Sequence, residues 1–155
     1  MSGGMVGFWV AGVPVPQGSK SIGKNRATGK ATLYDANKAL KGWRELVDFT
    51  ARRAMRGLEA LDEPCAVDMT FHMPRPAGHY LADGVTLKPG APVWCAVKPD
   101  LDKLTRAIFD SLKTGGVWAE DSRAVILRTS MPYAALPHQA GVYVVVTPVR
   151  AEVSA

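Results

Sequence analysis

Apolar and polar positions alternate along this chain in two rhythms, one with the period of a strand and one with the period of a helix. Met5 to Gly12 reads Met-Val-Gly-Phe-Trp-Val-Ala-Gly, a β-branched and aromatic run that predicts a strand ahead of Pro14 and Pro16. From Asp35 to about Leu58, the residues Leu40, Trp43, Leu46, Val47, Ala51, Ala54 and Leu58 recur at helical spacing and predict a long helix with Asp35 as its cap. Pro64 to His72 predicts a second strand, with Ala66, Met69 and Phe71 among its apolar residues. Leu104, Ala107, Ile108 and Leu112 predict a second helix that ends at Gly115-Gly116. Ser122 to Met131 and Gly141 to Val149 predict two more strands, joined through Pro132 to Pro137, with Val142, Val144 and Val146 on one side of the latter. Met73 to Pro99 is a long irregular connection with five prolines and three glycines, including a short strand at Val93 to Val97. A connection of this length in a compact domain usually has a function, and this one leads directly to Asp100. The order of elements predicts an α+β fold, a small mixed β-sheet packed against two helices in a single domain over residues 1–150, with a loose C-terminal tail at 151–155.

Charge sharpens this picture more than composition does. At 155 residues and 47% hydrophobic content the chain suffices for one core, and its 19 basic and 14 acidic residues give a net charge of +5. Residues 17–56 hold ten basic and three acidic side chains, so this segment, at +7, is more basic than the whole protein. The excess sits partly on Lys38, Lys41, Arg44, Arg52, Arg53 and Arg56 of the long helix and partly on the loop from Pro14 to Lys30. There Lys20, Lys24, Arg26 and Lys30 alternate with glycine and hydroxyl residues, a pattern that follows a phosphate backbone or merely keeps a loop solvated. No GxxxxGK[ST] nucleotide loop is present. Cys65 and Cys95 are widely spaced and form no CxxC, so they read as free thiols of a reducing compartment, and His72, His79 and His138 have no metal-ligand spacing. The apolar start is too short to span a bilayer and has no basic leader, which gives a cytoplasmic protein without membrane association.

The chemistry concentrates in Lys98-Pro99-Asp100-Leu101-Asp102-Lys103-Leu104-Thr105-Arg106 and in Trp118-Ala119-Glu120-Asp121. Pro99 places the helix start just after it, so Asp100 and Asp102 straddle that start and share a side only if Asp100 lies outside the helix. A return turn after Gly115-Gly116 is expected to bring Glu120-Asp121 back beside the first pair. Carboxylates gathered in this way repel one another unless a cation sits among them, and Mg²⁺ prefers such oxygen ligands. Read singly, each aspartate is as readily a helix cap or part of a solvated turn.

The arrangement resembles the RusA family of Holliday-junction resolvases, the crossover junction endodeoxyribonucleases. The resemblance rests on Asp100-Leu101-Asp102, Lys103, Arg106, Asp110-Ser111-Leu112 and Gly116-Val117-Trp118-Ala119-Glu120-Asp121, and is strong from Lys98 to about Val125. It implies that Asp100, Asp102 and Asp121 are the catalytic carboxylates holding Mg²⁺, with Mn²⁺ as a substitute. Arg106 stands where the family has its essential basic residue, there often lysine, and Glu120 where it often has aspartate. The resemblance further implies a homodimer acting on branched DNA, the four-way junction, in recombination and repair. Lys98 and Lys103, with Lys20, Lys24, Arg26 and Lys30, are the expected DNA contacts. Two other readings fit the same carboxylates: a branched-DNA-binding protein without cleavage, and another Mg²⁺-dependent phosphotransfer enzyme acting on a nucleotide.

Overall fold

The computed structural model describes residues 4–18, 29–149 and 152–153, the side chains of residues 29–37 excepted. Four strands, β1 (Val6–Ala11), β2 (Cys65–His72), β3 (Ala124–Ser130) and β4 (Gly141–Pro148), form one sheet in the order β1-β4-β2-β3. β4 runs antiparallel to both β1 and β2, whereas β2 and β3 are parallel. A parallel pair needs a crossover, and α2 (Leu101–Thr114), reached through the long connection, supplies it.

One face of the sheet is the core. Val6, Phe8 and Val10 of β1, Cys65, Val67, Met69 and Phe71 of β2, and Val142, Val144 and Val146 of β4 alternate inward. They meet Trp43, Val47, Ala51 and Met55 of α1 (Gly29–Ala54), together with Leu104, Ala107, Ile108 and Leu112 of α2. The mixed sheet with two helices is the expected α+β architecture.

Boundaries differ from expectation where short-range signals compete. α1 begins at Gly29, so Asp35 is an interior helical residue rather than its cap, and Lys30 belongs to the helix rather than to the loop. The helix ends at Ala54, although the apolar period continues to Leu58, because Gly57 takes φ +77° and turns the chain. β3 begins at Ala124 because Asp121–Arg123 wind into a 3-10 turn. Val93 to Val97 is no strand: only Trp94 forms a bridge, to Pro132. The connection is nevertheless pinned. Arg75 donates to the carbonyls of Ala134 (3.0 Å) and Pro92 (2.6 Å), with its guanidinium 5.1 Å from the Tyr133 ring centroid.

β3 is the edge strand and has one neighbour in the sheet, β2. Its apolar run Val125, Ile126 and Leu127 is 58, 41 and 47% exposed, whereas β1, at the opposite edge, buries Val6, Phe8 and Val10. No helix among the described residues is long and apolar enough to cross a membrane.

Candidate active site

Asp100 is the residue before α2, with an extended backbone (φ −74°, ψ 136°), and Asp102 lies in the first helical turn, as expected from Pro99. Asp100 does not cap the helix with its side chain. Its Oδ1 instead accepts a hydrogen bond from Lys98 Nζ at 2.8 Å. That bond, and the charge behind it, hold the Asp100 carboxyl below its ordinary range and raise the Lys98 ammonium above its own. Asp102 acts on the same ammonium, and Lys103 acts on Asp100 while its Nζ stands 3.8 Å from Asp102. The structure thus brings Lys98, Asp100, Asp102 and Lys103 together as an alternating-charge group at the solvent-exposed start of α2.

Arg106 follows one turn on and is exposed. Asp110, one candidate partner for it, faces Arg44 at 3.9 Å, and Asp102 faces Lys103, so neither holds the guanidinium in an ion pair. The backbone N–H of Gln17 donates to the Lys103 carbonyl at 3.0 Å, which seats the start of the basic loop against this same turn. Lys20, Lys24 and Arg26 lie outside the described residues, as does the side chain of Lys30.

Asp121 is built differently. The Val117 N–H donates to Leu112 O (2.9 Å), turning the chain back under the end of α2, and Trp118 is then buried to 1% exposure. Its indole lies 5.8 Å from Phe109, its backbone bridges to Leu61, and its Nε1 donates to Asp121 Oδ1 at 3.1 Å. Glu120 faces Lys113 (3.7 Å) and Arg123 binds Asp62 (2.6 Å). Trp118 carries part of the aromatic-x-acidic-Asp pattern, but its role as the donor that orients Asp121 was not legible from spacing, since it requires the indole edge to face the turn.

The two carboxylate groups do not meet within the chain. Thr105 Oγ1, near the start of α2, is 3.4 Å from Thr129 Oγ1, near the end of β3, whereas Trp118 and Asp121 precede the start of β3. α2 and β3 therefore run in opposite directions, with Asp100 and Asp102 at one end and Asp121 at the other. The length of β3 between them is about 20 Å. Among the described residues no three His, Cys, Asp or Glu side chains form a group that could hold a metal ion. The expectation that the return turn closes on the first pair fails because Trp118 and Val117 tie that turn to the far end of α2.

Asp100 and Asp102 still suit a hard divalent cation. Mg²⁺ takes one or two carboxylates and keeps several waters, and the Lys98 ammonium already stands as the positive charge that this pair attracts. Asp121, with one oxygen fixed by the indole, has a second oxygen for another partner.

A comparison with curated proteins finds none that matches. The family model described as endodeoxyribonuclease RusA matches residues 11–147, from the last residue of β1 almost to the end of β4, and so covers both helices, three of the four strands and both carboxylate groups. With a helix opened by Asp-x-Asp, a basic residue one turn on and an indole-held aspartate after it, a match over this length means that the chain belongs to the RusA endodeoxyribonuclease family.

Proposed function

We propose that this protein is a divalent-metal-dependent endonuclease that resolves four-way DNA junctions by paired phosphodiester cleavage, acting as a homodimer in the cytoplasm in recombination and repair. The observation that carries the reading is the Asp100-x-Asp102 pair at the exposed start of α2 in a chain of this family. Asp100, Asp102 and Asp121 would hold Mg²⁺, or Mn²⁺ in its place. When bound, the ion supplies Lewis-acid polarisation of the phosphodiester and of water.

The chain's own groups do the rest. Lys98 and Lys103 turn from the carboxylates to the DNA phosphates. A guanidinium is a poor proton donor, so Arg106 positions and neutralises the phosphoryl oxygens rather than serving as an acid. Gln17, seated on Lys103, brings the start of the basic segment to this end of α2, which supports phosphate contacts by Lys20, Lys24, Arg26 and Lys30.

The separation of the carboxylates supports the dimer. β3 has a free edge with an exposed apolar run, a surface that invites pairing with another strand. Two copies joined antiparallel through β3 about a two-fold axis would lay the Asp121 end of each against the Asp100–Asp102 end of the other. Each site would then draw on both protomers, and the pair would present two sites to a junction that is itself nearly two-fold symmetric.

Two inactive variants test this together. Asp102→Asn and Asp121→Asn, each alone, should abolish junction cleavage in Mg²⁺. When they are mixed and allowed to exchange protomers, half the dimers are mixed and have one intact site, so about a quarter of the wild-type nicking should return. No recovery would place all three carboxylates in one chain. Full activity of Asp102→Asn alone would overturn the carboxylate assignment itself.

A further inference from the structure

The last turns of α1 carry a pocket of about 410 Å³ lined by Phe49, Arg52, Arg53 and Arg56. These positions stand at i, i+3, i+4 and i+7, so they form one stripe along the helix, and all four are exposed. A basic last turn ordinarily answers the helix dipole, and Arg52 answers a second helix as well by donating to the Thr114 carbonyl at the end of α2 (3.1 Å). That explains neither Arg56, which lies beyond the helix, nor Phe49, which is 64% exposed on the arginines' own stripe. Among the described residues the ion pairs engage Arg44, Lys98, Lys103, Lys113, Arg123 and Arg128, and none of the three pocket arginines. Asp48, on the same turns, is bound instead to Thr114 Oγ1 at 2.6 Å. The pocket is thus lined by three permanent cations and an open aromatic face, with no carboxylate in its lining.

We propose that this pocket is a second nucleic-acid contact, which takes the phosphates of a DNA strand on Arg53 and Arg56 and an unpaired base on Phe49. Guanidinium forks match phosphate oxygens, and an exposed ring stacks on any base, so the combination suits a strand that has left the duplex. The inference rests on the proposed action on branched DNA, at whose branch point base pairs open more readily than within a duplex. Arg52 on Thr114 places the pocket by the C-terminal end of α2, remote from Lys98, Lys103 and the loop seated at Gln17. Within one protomer it therefore holds a different part of the DNA from the part held at the start of α2.

Binding of a synthetic four-way junction in Ca²⁺, measured across a salt series, tests it. Arg53→Gln/Arg56→Gln should lower the slope of log K against log salt by about 1.8, while single-turnover cleavage at saturating protein in Mg²⁺ stays at the wild-type rate. Arg53→Lys/Arg56→Lys should restore the slope, which a merely structural role would not require. Phe49→Ala should weaken binding of a junction with unpaired nucleotides at its centre by roughly 5- to 150-fold, and that of a linear duplex far less. An unchanged slope in the glutamine variant, with the wild type binding the junction, overturns the pocket alone. Failure of the wild type to bind the junction overturns the junction reading beneath it.

Discussion

The two ends of α2 both carry acidic residues, yet they are held in opposite ways. At its start Asp100 and Asp102 are exposed and balanced by flexible lysines, Lys98 and Lys103, whose long side chains leave easily. At its end Asp121 is fixed by the indole of Trp118, one of the most buried side chains of the protein. The first arrangement keeps charge adjustable at a solvent-exposed surface, as the proposed exchange of metal and phosphate there would require. The second aims a single oxygen rigidly. A site that draws on both ends combines an adaptable half with a fixed half.

Arg106, on the adaptable side, offers the largest single effect among residues that hold no metal. Arg106→Ala should lose about 10² to 10³ in single-turnover cleavage, and Arg106→Lys should retain much of the rate, because a positive charge still reaches the phosphate. A near-wild-type rate for Arg106→Ala would reduce the adaptable half to its carboxylates. The fixed half is tested by Trp118→Phe, which keeps a ring against Phe109 but removes the donor to Asp121. Cleavage should fall by about 10- to 100-fold with junction affinity unchanged, the range for a group that orients a metal ligand, which is the role proposed for Asp121. Thermal unfolding should show a loss of about 1–3 kcal/mol. Equal activity would show that Asp121 needs no orientation.

The smallest effect is that of Lys98→Gln. Asp100 is held low and Lys98 high by their mutual bond. The depressed carboxyl contributes stability above its unfolded pKa and loses it as pH falls through the lower folded value. The raised ammonium contributes below its unfolded pKa and loses it as pH rises through the higher folded value. The stability this pair contributes is therefore fully present between about pH 4 and 10 and is lost only below and above that window. NMR titration of the Asp100 carboxyl should show its pKa move up to the ordinary range in the variant, and an unmoved titration would mean that the bond does not persist in solution.

The elements themselves were legible because burial leaves a periodic trace. Val142, Val144 and Val146 announced an inward strand face, Leu104, Ala107, Ile108 and Leu112 a helical one, and Pro99 the point at which α2 could start. Asp100 outside the helix and Asp102 within it followed from that start alone. These are properties of a few consecutive residues, and local sterics decide them.

Direction and adjacency were not legible in this way. Val125-Ile126-Leu127 reads as an apolar run of a strand, yet β3 lies at a sheet edge with this run exposed, because strand order depends on how distant segments pair. Nor could spacing reveal that Asp121 sits at the far end of α2 from Asp100 and Asp102. The turn after α2 could carry Glu120-Asp121 back to the start of the helix, but here it keeps them at the helix's end, where β3 begins its own run back beside α2. The choice was made by the seating of Trp118, whose backbone bridges to Leu61, and by the pairing of β3 with β2, contacts between residues far apart in sequence whose energy no local pattern records. Local chemistry placed each carboxylate on its element, and only the packing of those elements decided which carboxylates share an end of the molecule.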